Sequence, residues 1–198
     1  KDILHSVRDS YTMQMLNSIG ISNVINTSCP TVWNLTPEHC NQIPTRKSEN
    51  VVVTLTDYNQ QRELDAKFLK IVFENYKKVF FWIQGIGDLE YIKSFKTIDR
   101  NRLKIIPPNL HAYDEVLKNE DVNYIGTRLH AGIRAIQHRK RTLIIAIDNR
   151  AKEISKDINL NVCDRNDFAA ITKFIVNEYK NELKIPFENI EKWKAQFK

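Results

Sequence analysis

The residues best suited to chemistry lie in "YIGTRLHAGIRAI", positions 124–136. An apolar run reaches Gly126 and gives way to Thr127, Arg128 and His130. Apolar helical spacing then resumes through Leu129, Ile133 and Ile136. The pattern puts a guanidinium and an imidazole where a buried strand turns into a helix. Such a corner presents unpaired N–H groups and a partial positive charge, and anions bind there. Arg128 adds a planar fork suited to phosphate or carboxylate, and His130 a group that exchanges protons near neutral pH. Arg134 shares a helical face with His130, and His138 follows one turn later. For these last two, a solvent-facing role competes with a binding one.

Other strand ends meet the same test. Asp57 and Tyr58 follow "VVVTLT", and Gln84, Gly85, Gly87 and Asp88 follow "VFFWI". Asp148, Asn149 and Arg150 follow "TLIIAI", one strand after the Arg128 corner, where they can line the same cleft. A capping role for Asp148 or Asn149 is equally open. "VRDS" (7–10) is a further strand-to-helix corner, with Asp9 or Ser10 as N-cap and Arg8 projecting beside it. "GIGDLE" begins like a dinucleotide fingerprint, but Glu90 stands where the third glycine belongs. No GxxxxGK[ST], HExxH or GxSxG motif occurs.

The elements that position these residues follow from residue 51 onward. Apolar, β-branched runs at 51–56, 79–84, 103–107, 122–126 and 142–147 read as strands. Helical patterns at 61–78, after "GIGD", at 111–119, 129–139 and 150–158 supply the crossovers. Strands apolar almost throughout are buried on both faces, so the spacing predicts a parallel, doubly wound α/β sheet. Residues 3–27 give one βαβ unit, too small to fold alone. Residues 29–50, with three prolines and no period, read as a connector. The stretch 165–183 reads as a helix. Pro186 opens a last one with Phe187, Ile190, Trp193 and Phe197 on one face.

The totals bound the class. With 198 residues the chain can bury a sizeable core, and its 42% hydrophobic content is that of a soluble globular protein. No apolar stretch nears the roughly 20 residues that span a membrane. A chain opening on Lys1 and then "ILHSV" reads as part of a longer protein. The odd number of cysteines, Cys29, Cys40 and Cys163, has no CxxC pair, which argues for a reducing cytoplasm over a disulfide framework or zinc site. The net charge of +6 lies entirely beyond residue 50, since residues 1–50 balance. A basic domain prefers anionic partners. The run "QHRKR" (137–141) lacks interleaved aromatics and reads as a solvated helix end rather than a nucleic-acid patch.

"GTRLHAGIRAI", followed by an apolar strand and "IDNRAKE", resembles the C-terminal motif of the polysaccharide pyruvyl transferase family. "VRDSYTMQMLNSIGISNV" resembles that family's N-terminal "RD, helix, Gly-Ile" element. The resemblance runs over most of 1–183, and it implies an architecture like the two-domain GT-B glycosyltransferases. Residues 1–47 would then be the end of a Rossmann-like first domain plus connector, and 48–183 a donor-binding second domain. Residues 184–198 would be a helix packing back on the N-terminal part. The implied activity is transfer of the enolpyruvyl group of phosphoenolpyruvate to sugar hydroxyls, forming a pyruvate ketal and releasing phosphate. No metal or cofactor is implied. Arg128 and the backbone at Leu129 would bind the donor, Arg8 would reach it from the other domain, and His130 would act as acid or base. The implied partners are phosphoenolpyruvate and a sugar or lipid-linked saccharide. The setting would be cytoplasmic, with peripheral association at the inner membrane surface and no nucleic acid. One departure stands out: many members have Asp-Pro where this chain has Cys29-Pro30.

Two other readings fit the same corner. One is a glycosyltransferase using a nucleotide sugar, for which Glu153 is the nearest carboxylate for a ribose. The other is a non-enzymatic basic α/β module that binds an anionic polymer, with affinity falling steeply in salt.

Overall fold

The computed structural model describes residues 3–197. Its centre is a six-stranded, wholly parallel sheet. Before it come β1 (His5–Val7), α1 (Ser10–Ser18) and β2 (Val24–Asn26), in which β1 and β2 pair parallel as a separate two-stranded sheet. The main sheet is built from β3 (Asn50–Thr54), β4 (Val79–Trp82), β5 (Leu103–Ile106), β6 (Val122–Gly126), β7 (Thr142–Ala146) and β8 (Val162–Asp164). A short helix, α2 (Pro37–Cys40), precedes it. Its crossovers are α3 (Arg62–Asn75), α4 (Ile86–Ser94), α5 (Leu110–Asn119), α6 (Leu129–Gln137) and α7 (Asn149–Ile158).

The strand order is β5-β4-β3-β6-β7-β8. The chain starts in the middle, winds outward to β5, then crosses back to β6 and winds the other way. This is the Rossmann-like doubly wound order, and its direction reverses between β3 and β6. Every residue of β3, β4, β6 and β7 is buried, because helices cover both faces. Two apolar cores result. One includes Val52, Tyr124 and Ile144 beneath α5, α6 and α7. The other includes Val51, Ile125 and Ile145 beneath α3, α4 and α8 (Phe168–Val176).

Several sequence expectations need correction. The stretch 165–183 is not one helix: α8 ends at Val176, and Asn177 is extended. Its carboxyl end is held by Arg141, whose Nη2 donates to the carbonyls of Phe174 and of Asn177 (2.6 Å for the latter). That contact also overturns the reading of "QHRKR" as wholly solvated. Arg141 is 1% exposed, with its guanidinium stacked 3.9 Å from the Phe174 ring centroid. The helix α6 stops at Gln137 because the chain soon turns left-handed at Arg139 (φ 57°). The three-residue strand β8 is too short to read from pattern.

The stretch 29–50 is more than a connector. It folds into a 3-10 turn (Pro30–Val32) and α2, and it buries Cys29, Val32, Leu35, Cys40 and Ile43. Gln137 donates to the Thr31 carbonyl at 2.6 Å, and His39 contacts the Ile136 carbonyl at 2.8 Å, so this segment is clamped to α6.

The β1–α1–β2 unit is tied to the rest through a few polar contacts. Asp157 on α7 accepts from the Ser10 amide at 2.6 Å and from the Asn26 side chain at 2.8 Å. The last helix, α9 (Phe187–Ala195), packs on the same unit and on the 29–50 segment. Asn189 donates to the Asn26 carbonyl at 2.9 Å, and Trp193 meets Trp33 edge-on with centroids 5.8 Å apart. Within the stripe, Ile190 is buried while Phe187 and Phe197 stay exposed. In α1 no residue is buried, and Ile3, Tyr11, Met15 and Ile19 are exposed. No helix among the described residues is long and apolar enough to cross a membrane.

Candidate functional site

The switch between β3 and β6 sets the geometry. Where strand order reverses, crossovers leave in opposite directions and a crevice opens at the carboxyl ends. Gly126 makes that end tight, because a Cβ there would stand 2.7 Å from the Thr54 amide nitrogen and 2.8 Å from its carbonyl oxygen. The chain then turns into α6 at Arg128, which is its N-cap residue. Tyr124, fully buried, donates its hydroxyl to the Arg128 carbonyl at 2.8 Å and pairs with the Thr54 hydroxyl at 2.6 Å. The Arg128 amide donates to that same threonine oxygen at 3.3 Å. The backbone at the corner is therefore fixed from below.

No side chain caps α6. The amides of Leu129, His130 and Ala131 have no acceptor among the described residues. These residues line a cleft of about 160 Å³ whose wall also includes Tyr58, Gln84, Thr127, Arg128, Asp148 and Arg150. This is smaller than the roughly 300–1,000 Å³ of sites that enclose drug-sized ligands.

Both arginines of the wall are already held by carboxylates. Arg128 uses one nitrogen, Nη2, for three bonds: to Asp88 at 2.7 and 3.0 Å, and to Asp57 at 3.2 Å. Its Nε is buried without a partner, and Tyr58 lies beneath the guanidinium at 5.4 Å. Asp88 is 1% exposed and also accepts from the Gln84 amide at 2.8 Å. Gly87 lets α4 come this close, since a Cβ there would run into Asp57. Arg150 donates to Asp148 at 2.9 and 2.6 Å and to the Tyr58 hydroxyl at 3.2 Å. The hydrogen bonds from Arg150 hold the Asp148 carboxyl below the usual range. Asp148 also caps α7 through the Arg150 amide.

The 3-10 turn Asp57–Asn59, which carries Tyr58, is itself anchored. Asn59 donates to the Ile147 carbonyl at 3.1 Å, and Arg165 donates to the Asn59 carbonyl at 2.6 Å. Arg165 also grips buried Asp65 at 3.0 and 2.5 Å, and the Tyr91 hydroxyl donates to Asp65 at 2.5 Å.

His130 lines the cleft, and its Nε2 lies 3.6 Å from the sulfur of Cys29. Cys29 also accepts from the Thr31 hydroxyl at 3.1 Å. Burial alone pushes the Cys29 thiol up, but the hydrogen bonds from His130 and Thr31 outweigh it and bring it down to about 7.

The structure thus gathers Arg128, Leu129, His130, Asp148 and Arg150 around one cleft. Arg134 is elsewhere: it binds Asp114 of α5 at 2.8 and 2.6 Å, and His138 joins the same carboxylate at 3.1 Å. Asn149 starts α7 and does not line the cleft. Arg8 sits 3.6 Å from Asp9, which caps α1 through Thr12, and its Nε is buried without a partner. Glu153 pairs with Lys156 at 2.7 Å on α7. The sequence marks Asp57, Tyr58 and Asp88 as strand-end residues without joining them to the site. Their placement after adjacent strands is the available signal. It marks Cys29 only as a departure and gives no sign of its contact with His130.

The family model described as polysaccharide pyruvyl transferase matches residues 2–149 of this chain. The match takes in Arg8, Cys29, Arg128, His130 and Asp148 and stops just before Arg150. Among solved structures, the fold is similar to that of the "S. aureus MnaA-UDP co-structure". The TM-score is 0.57 at 12% identity, over 98% of this chain and 59% of that one. At that identity the likeness is one of fold, and the present chain spans under two thirds of that structure's length. No curated protein matches this sequence.

Proposed function

Since the chain belongs to the polysaccharide pyruvyl transferase family, we propose that its cleft binds phosphoenolpyruvate. The chain would carry the donor half of a transferase that forms a pyruvate ketal on two sugar hydroxyls. One observation carries this reading: the uncapped N-terminus of α6 opens, with Arg128 and His130, on a cleft sized for a small anion. A helix N-terminus binds phosphate through its free amides and its dipole. The remaining N–H groups of Arg128 suit the donor's second anionic group, and His130, which lines the cleft, is the group that would move the proton. Ketal formation requires protonation of the methylene carbon, then hydroxyl attack on a cationic centre with loss of phosphate. A positioned acid or base contributes roughly 10²–10⁴-fold to such a step.

In this reading residues 48–183 form the donor domain and residues 1–47 end a first Rossmann-like domain, as in GT-B architectures. Arg8 closes on the donor from that side, α9 (within 184–198) packs back, and a polysaccharide or its lipid-linked precursor supplies the acceptor. The exposed apolar side chains of α1 support a further packing partner there.

A nucleotide-sugar transferase is the second reading, favoured because the similar solved structure is a co-structure with UDP. Against it stand the small cleft and the engagement of Glu153 by Lys156.

The test is a thermal-shift titration with phosphoenolpyruvate, UDP-sugars and GDP-sugars, repeated on Arg128→Ala and His130→Ala. A ligand at about 100 times its Kd stabilises by about 2.7 kcal/mol. A shift with phosphoenolpyruvate alone, lost in both variants, supports pyruvyl transfer. A shift with a nucleotide sugar alone overturns it in favour of the second reading.

A further inference from the structure

The pairing of Cys29 with His130 adds a residue to the proposed reaction. We infer that Cys29 is the positioning residue of His130: its sulfur holds Nε2 of the ring and leaves Nδ1 to exchange a proton with substrate. The role in turnover rests on the pyruvyl-transfer reading; the pairing itself does not.

Cys29 is 7% exposed and stands just before the 3-10 turn Pro30–Val32, which Gln137 clamps to α6. Two groups, the Thr31 hydroxyl and the His130 ring, converge on its sulfur. Convergence of donors is what a thiolate requires, and a thiol–imidazole pair of this kind supports the anionic sulfur. On the other side of the ring, Nδ1 has no partner among the described residues, while His130 lines the cleft. A base whose second nitrogen is held by a fixed group is the recurring arrangement of proton-transferring histidines.

The neighbouring charges do not compete for the pair. Arg128 is bound to Asp57 and Asp88, Arg150 to Asp148, Arg134 to Asp114, and Arg8 lies beside Asp9. His39 on α2 is engaged with the Ile136 carbonyl. None of these groups bonds to the Cys29 sulfur or to Nε2 of His130.

With Cys29 ionised, Nε2–H donates to sulfur and Nδ1 carries the lone pair. When a sugar hydroxyl gives up its proton, the O–H bond breaks, an Nδ1–H bond forms, and the ring's new positive charge is matched by the thiolate. Running backward, the same nitrogen returns the proton. An aspartate at this position would hold its charge throughout the neutral range. With the His130 and Thr31 hydrogen bonds bringing Cys29 down to about 7, its charge changes within that range, so the device would be pH-gated.

The test follows thiolate ultraviolet absorbance of the whole chain against pH, with Cys29→Ser as the blank. The expected midpoint is about 7, rising in His130→Gln toward the 9.0 of an unperturbed thiol. A wild-type midpoint in that ordinary range, or no response to His130→Gln, would overturn the pairing. Should His130→Gln fail to fold, nitrogen NMR of the His130 ring decides. The Nε2 resonance should move in step with the thiolate signal, and that step should vanish in Cys29→Ser. A step that survives in Cys29→Ser overturns the inference. Cys29→Asp should keep Nε2 engaged while removing the inflection near neutrality. Neither readout needs phosphoenolpyruvate, so failure to bind the donor leaves this result intact.

Discussion

Arg128 and Asp88 are joined through a single nitrogen, Nη2, which reaches both carboxylate oxygens at 2.7 and 3.0 Å. The cation at the mouth of α6 is therefore neutralised in advance, and Asp57 adds a second carboxylate. An anion bound in the proposed way would be held by backbone amides and unused guanidinium N–H groups more than by net charge.

Asp57→Asn should consequently tighten binding of phosphoenolpyruvate, because Asp88 still holds Arg128 while one repelling charge is gone. Asp57 is about one-third exposed, so the gain is modest. Exposed pairs are worth up to about 1 kcal/mol, which corresponds to a Kd lower by up to about fivefold. Calorimetric titration of both proteins measures it, and an unchanged or higher Kd contradicts the prediction.

Asp65→Asn should cost far more stability. Asp65 and Arg165 are both buried, and breaking such a pair costs about 3–5 kcal/mol. For a chain of this size that lowers Tm by roughly 6–20 °C. Because Arg165 also holds the Asn59 carbonyl, the variant should loosen Tyr58 and weaken the anion site as well. Calorimetric melting with and without phosphoenolpyruvate separates the two effects.

Much of this architecture is legible in the sequence. Residues 51–147 carry the Rossmann-like alternation plainly, since strands buried on both faces leave unbroken apolar runs. The Arg128 corner is equally plain, because polar groups interrupt that pattern at one point. What escapes a local reading is decided by contacts between distant residues. Arg141 looks like part of a charge run until the end of α8 is laid over it. Arg134 looks like a neighbour of His130 until Asp114 claims it from α5. Cys29 is joined to His130 across 101 positions, and no local pattern encodes that distance.

Gly126→Ala should damage both stability and site. The new Cβ would meet Thr54 backbone atoms at 2.7 and 2.8 Å, and backbone cannot step aside as a side chain can. Overpacking costs about 1–3 kcal/mol, and the separation of β3 from β6 should abolish ligand-induced thermal shifts. Denaturant unfolding and a phosphoenolpyruvate titration of the variant check the two parts.

Stability should depend on Cys29 in a pH-specific way. Its thiol is lowered in the fold from 9.0 to about 7, so between those values the unfolded chain binds more protons. Stability from this group therefore grows as pH rises from about 7 to 9 and is lost below about 7. The difference in unfolding free energy between wild type and Cys29→Ser should open across that window. A difference that stays flat would rule the shift out.

The β1–α1–β2 unit has a kinetic consequence. Its helix buries nothing, and among the described residues its side-chain hydrogen bonds to α7 and α9 run through Asp157, Asn189 and Gln196. Regions with few buried contacts open locally at far lower cost than core strands. Amide exchange should therefore be fast over 5–26 and slow over β3 and β6. Arg8 rides on that opening segment. In the proposed reading, any affinity Arg8 adds would be scaled by the fraction of time the unit is docked, so donor capture would be set partly by these polar tethers.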